Sequence, residues 1–85
     1  MEDLDARIHR RSAELRERHP GVRDCRVSVA DRVPHAYECR RYNVRLDIAV
    51  HGRELVINRE SDDDPALAVE AAFAAAHRQL DTLRG

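Results

Sequence analysis

The feature that most constrains this chain is nine residues long: Tyr42, Val44, Leu46, Ile48 and Val50 alternate with Asn43, Arg45, Asp47 and Ala49. Apolar and polar side chains exchanging at every step match the two-residue period of a strand with one buried and one wet face. A helix would scatter the same residues around its circumference, so the segment is expected to be a strand of a one-sided sheet. His51-Gly52-Arg53 then reads as a short turn, and residues 54–59 return as a strand with Leu55 and Ile57 on the inner side. So short a connection leaves only an antiparallel hairpin.

The rest of the chain arranges itself around that hairpin. Residues 4–18 carry Leu4, Ile8 and Leu15 on one stripe, with Ser12 in the missing turn and Arg7, Arg10, Arg11, Glu14 and Glu17 elsewhere. Asp3 is the expected N-cap, and His19-Pro20-Gly21 ends the helix because proline disfavours helical geometry in the residue before it. Residues 22–30 alternate again: Cys25, Val27 and Val29 on one side, Arg26, Ser28 and Ala30 on the other. Residues 31–41 hold Pro34 and no clean period, which predicts a long connection. Ser61-Asp62-Asp63-Asp64-Pro65 places carboxylates and a proline where a helix starts. The helix that follows, residues 65–83, has a buried stripe of Val69, Phe73, Ala76, Leu80 and Leu83. The expected fold class is α+β in the order α-β-β-β-α: an antiparallel three-stranded sheet with two helices packed on one face.

Composition bounds what such a fold can do. Eighty-five residues make one domain, 1–85, with one core and little room for a deep cleft. The longest run free of charged residues and histidine is six residues, Ala71 to Ala76, far below the roughly 20 that span a bilayer. Glu2, Asp3 and Asp5 open the chain where a secretory leader would be basic and then apolar. Together with only two cysteines, Cys25 and Cys39, this points to a reducing cytoplasm. The formal net charge is −1, yet every one of the fifteen basic residues is arginine. Arginine suits bidentate phosphate contact and base stacking, although a codon bias produces the same excess.

Two helices on one face leave the other uncovered, carrying Arg26, Ser28, Asn43, Arg45, Asp47, Val56 and Asn58. A solvated face needs such residues anyway. A phosphate- or base-binding face would use them too, because Arg26 and Arg45 fall on neighbouring strands.

Several segments carry a resemblance to a known family. Leu4-Asp5-Ala6-Arg7-Ile8 with Leu15, and Cys25-Arg26-Val27-Ser28-Val29, resemble the first helix and second strand of the ribosome hibernation-promoting factor and ribosome-associated inhibitor (sigma-54 modulation protein) family. Tyr42-Asn43-Val44-Arg45-Leu46-Asp47-Ile48-Ala49-Val50 is similar to its third strand. Gly52-Arg53-Glu54-Leu55-Val56-Ile57-Asn58-Arg59-Glu60 is similar to its fourth strand. The run from Ala68 through Ala76-His77-Arg78-Gln79-Leu80 resembles its last helix. The match is to a short form and rests on five weak likenesses in the right order.

The resemblance implies a non-catalytic protein that binds the decoding region of the small ribosomal subunit and modulates or inhibits translation under stress. Arginines would contact ribosomal RNA phosphates. The candidates are Arg10, Arg11, Arg26, Arg40, Arg41, Arg45 and Arg78. Family members usually begin with a strand ahead of the first helix, and the residues before Leu4 are not expected to form one. The strand edge from Cys25 to Val29 is then expected to stand open, which makes a homodimer through it the alternative partner. The competing function is accordingly a small homodimeric protein-interaction module with no RNA binding, favoured by the net acidity.

Other chemistries find little in the residues. Double-stranded RNA-binding domains share the element order but place lysines where this chain has Asp62, Asp63 and Asp64. His35 and Cys39 are four apart with no CxxC pair, so no metal site is expected. Cys25 reads as a small buried thiol, His77 as a surface or rim residue, and the aspartate triplet as a cap. With three scattered glycines there is no phosphate loop. Neither an enzyme, a cofactor, a small-molecule substrate nor a membrane partner is expected.

Overall fold

The computed structural model describes residues 3–32, 41–62 and 64–84. In chain order these form helix α1 (Leu4–Arg18), strands β1 (Val22–Arg32), β2 (Arg41–Val50) and β3 (Arg53–Asp62), and helix α2 (Pro65–Arg84). The sheet is antiparallel in the order β1-β2-β3, so the strand with the cleanest alternation is the central one. That placement follows from its composition, since only a central strand has both backbone edges satisfied while one face is fully buried.

Each boundary has a local cause. The Asp3 carboxylate accepts the Ala6 N–H at 2.7 Å, capping α1 as its position predicts. His19 closes the helix by donating its N–H to the Leu15 carbonyl at 3.0 Å, and its own carbonyl accepts from Val22 as β1 begins. The hairpin turn is tighter than expected. Arg53 pairs with Val50, leaving a two-residue turn in which His51 (φ 50°) and Gly52 (φ 74°) are both left-handed. Two positive φ values are the mark of the type I′ turn, whose twist matches that of the flanking strands. The α2 cap is Asp64: its carboxylate accepts the Ala66 N–H at 2.9 Å and its carbonyl accepts from Leu67. Ser61 and Asp62, read as part of that helix start, instead extend β3 by pairing with Tyr42 and Arg41. Likewise β1 runs on to Arg32, because the backbone ladder continues where side-chain alternation gives no sign of it. The expected connection with Pro34, His35, Cys39 and Arg40 lies outside the described residues.

The core is a single layer between sheet and helices. Val44, Leu46, Ile48, Val50 and Ile57 rise from one sheet face to meet Leu15 of α1 and Val69, Phe73, Ala76 and Leu80 of α2. Phe73 is the largest of the fully buried side chains, and the buried alanines Ala68, Ala72, Ala75 and Ala76 let α2 approach β2 and β3 closely. Helix α1 packs beside α2 and over β1. Both helices therefore lie on one sheet face and the other stays open, as the alternation predicts.

Two side chains depart from expectation and a third gains an unforeseen partner. Leu83, assigned to the buried stripe, is 39% exposed, because the last turn of α2 has only the depression around His19, Pro20, Val50 and His51 beside it. Cys25 is half-buried, since it lies on an edge strand that α1 covers incompletely. His77 is half-exposed at the rim as expected, but it is not free: its Nδ1 lies 3.1 Å from Nε2 of the buried His19. No helix among the described residues is long and apolar enough to cross a membrane.

Candidate functional site

The uncovered sheet face is a mixed-charge surface built by register. Opposite Arg26 on β1 stands Asp47 on β2, and opposite Ser28 stands Arg45. Arg26 and Arg45 are thus diagonal neighbours on one face, with Cβ atoms about 7–8 Å apart in ordinary sheet geometry. Two guanidinium groups so placed can share one phosphate or grip neighbouring ones. They line a shallow depression of about 230 Å³ together with Asp24, Asp47, Ala49 and Glu54. Val56, 42% exposed, stands on the β3 row of the same face next to Asn58.

Acidic groups temper the two arginines. Asp47 accepts from Nε of Arg45 at 3.1 Å, and its carboxylate lies 3.1 Å from Nη2 in an ion pair. Asp24 accepts from Arg16 at 3.5 Å, across the β1 edge from α1. With Glu54 and Glu60 also in the outward register of β3, the described face carries more carboxylates than guanidinium groups. An anion that binds here meets an Arg45 whose charge is already partly neutralised by Asp47.

Three of the other candidate arginines belong to the helical layer. Arg10 and Arg11 are on α1 and Arg78 is on α2, in the layer that covers the opposite sheet face. Arg10 is exposed, with Glu14 4.0 Å away. Arg78 is exposed, and its carbonyl accepts from the Thr82 hydroxyl at 3.1 Å. Arg41 starts β2, in register with Arg32 and Asp62. Arg40 lies outside the described residues. The seven candidates therefore do not converge on one patch: Arg26 and Arg45 share a face, whose outward row Arg41 joins by register, while Arg10, Arg11 and Arg78 belong to the helical layer.

Arg11 is committed within the fold. Its Nε and Nη2 donate to Glu70 of α2 at 2.9 and 2.6 Å, and its Nη1 donates to Glu14 at 2.9 Å. Arg7 adds a further ion pair to Glu70 at 3.3 Å. These hydrogen bonds push the Arg11 guanidinium pKa up, and the Arg11 bond is the main cause holding the Glu70 carboxyl below its usual range, against a smaller opposing effect of burial. Glu70 was legible only as a lone charge in the otherwise uncharged stretch from Pro65 to Ala76. Its partner could not be read from α2 alone.

A second polar cluster joins the ends of the helices. His19, 4% exposed, approaches His77 as above, with the rings tilted at 40° and centroids 5.3 Å apart. Asp81 lies 3.9 Å from the same His19 nitrogen, and the buried His19 Nδ1 has no hydrogen-bond partner among the described residues. Burial is the main reason that the His77 pKa is lowered, with Arg18 and His19 reinforcing it. Among the described residues no three or more histidine, cysteine or acidic side chains are grouped to hold a metal ion.

On the helix side of β1 lies an open groove of about 870 Å³, lined by Ile8, Ser12 and Arg16 of α1 and by Cys25, Val27 and Val29 of β1. Alternation placed the β1 residues inward; that α1 leaves them partly uncovered follows from packing alone. Compared with protein-family models and with curated proteins, the chain finds no match to either.

Proposed function

We propose that this protein is a non-catalytic, ribosome-associated factor that binds the decoding region of the small subunit and modulates translation under stress. The observation that carries the reading is the diagonal Arg26–Arg45 pair on the sheet face left free by both helices. That face sits on the element order which the likeness to hibernation-promoting factors implies. Binding here is steric and electrostatic: the arginines take phosphates, Val56 and Asn58 meet sugar or base edges, and the bulk of the domain blocks the channel.

Co-sedimentation with purified small subunits across a salt series tests this. The expected result is pelleting at low salt that falls steeply as salt rises. Arg26→Ala with Arg45→Ala should lower the slope of log K against log salt by about 1.4–1.8 for two phosphate contacts. Absence of pelleting at low salt overturns the proposal.

The carboxylate excess on the same face favours a second reading, a protein-interaction module without RNA affinity. Its signature is capture of a partner protein whose affinity is unchanged by the Arg26 and Arg45 substitutions.

A further inference from the structure

The two edges of the sheet differ in how long an apolar run they leave unguarded. Sheet edges present unpaired N–H and C=O groups, and monomeric proteins blunt them with charges on the inner row, prolines or bulges. The β3 edge has such a guard, since Arg53 and Arg59 stand in register with the buried Val50 and Val44 and so occupy the inner row. The β1 edge has its inner-row charge, Asp31 in register with Tyr42, only toward its far end, so three apolar positions run uninterrupted where β3 has two, Leu55 and Ile57. Its inner row reads Cys25, Val27, Val29, in register with Ile48, Leu46 and Val44. Its only irregularity is a register shift between Val22 and Asp24, at one end. Cys25 and Val27 are half-buried and Val29 is 38% exposed, all three lining the groove beside α1.

We propose that β1 is a homotypic edge: two copies of this chain join β1 to β1 in antiparallel fashion about a two-fold axis at Val27, making one continuous six-stranded sheet. The occupant is a second copy because the strand is complementary to itself. With Val27 facing Val27, Cys25 meets Val29 of the other copy on the inner row, and Arg26 meets Ser28 and Asp24 meets Ala30 on the outer row. On the inner row from Cys25 to Val29 apolar groups meet apolar groups, toward the ends Arg23 meets Asp31 and Val22 meets Arg32, and no like charges face each other. Neighbouring registers are worse. Centring on Arg26 sets arginine against arginine, centring on Ser28 sets the inner-row Cys25 against Asp31, and centring on Cys25 shortens the overlap and leaves Val29 facing Gly21. A net charge of −1 per copy offers little repulsion.

Pairing removes the open edge from solvent and brings the two α1 grooves together across the axis, covering Val29 and Cys25. An isologous contact of this kind closes at two copies and leaves the guarded β3 edges outermost, so the sheet does not grow further. The inference concerns the strand edge and is independent of what binds the open sheet face.

Two measurements on the full chain alone, without RNA, test it. Sedimentation equilibrium over a concentration series should show the mass rising from 9.8 kDa to twice that value. Val29→Lys, at a position exposed enough to leave the core intact, should weaken association by about tenfold or more with an unchanged circular dichroism spectrum. The register is tested with Cys25→Ser and Cys39→Ser as background. Adding Val27→Cys should give a disulfide-linked dimer under mild oxidation, and adding Arg26→Cys instead should not. A monomeric mass at every concentration overturns the proposal. So does a dimer that ignores Val29→Lys, or one that cross-links through position 26 in preference to 27.

Discussion

Replacing Glu70 by Gln removes the charge that ties α1 to α2 while keeping the side-chain volume. Glu70 accepts two hydrogen bonds from Arg11, at 2.6 and 2.9 Å, in the forked geometry that makes arginine–carboxylate pairs stronger than single contacts. Against that, the two side chains remain 30% and 36% exposed, so solvent screens much of the attraction. A coupling energy of about 1 kcal/mol results, above the usual exposed pair and below a buried one. For a domain of this size the single substitution should lower Tm by about 4–8 °C. The cycle comprises wild type, Arg11→Gln, Glu70→Gln and the double variant, each unfolded in urea to separate coupling from the loss of Glu14 and Arg7 contacts.

Salt and pH add independent checks on the same pair. Raising ionic strength from 0.15 to 1 M shortens the screening length from about 8 to 3 Å and should shrink the coupling. Because Arg11 holds the folded Glu70 pKa below its ordinary 4.5, the unfolded chain takes up the proton first on acidification. The contribution is whole above pH 4.5 and fades as pH falls through the folded value. Coupling below about 0.3 kcal/mol, or coupling indifferent to 1 M salt, would refute the account of α1 docking. The same variant bears on RNA binding, since Arg11 can serve a phosphate only after leaving Glu70.

Two further outcomes follow from the structure. His77 has a folded pKa below its ordinary 6.5, so its stabilising effect is full above that pH and drains away as pH falls from 6.5 toward the folded value; His77→Gln should flatten the urea midpoint between pH 7 and 5.5. Gly52→Ala meets no atom within 4 Å, so its cost, about 1–2 kcal/mol in urea unfolding, should come from the positive φ alone, and an unchanged midpoint would contradict the type I′ turn.

Local periodicity and capping chemistry were enough to determine the elements of this protein. The alternation of Tyr42 to Val50, the Asp3 cap, the Pro20-Gly21 break and Pro65 all act within a few residues, so a reader of the chain sees them directly. The one-sided sheet followed, because a strand whose polar residues fall on alternate positions cannot bury both faces. Side-chain partners were decided only by tertiary packing. Arg11 and Arg26 look alike in sequence, yet one is clamped by a carboxylate 59 residues away and the other stands on an open face. Val27 and Leu46 share an alternating pattern, but Leu46 lies on the central strand beneath a helix and Val27 on an edge that α1 leaves partly bare. Whether a residue is core, clamp or interface depends on what the rest of the chain brings against it, and that long-range term has no period to read.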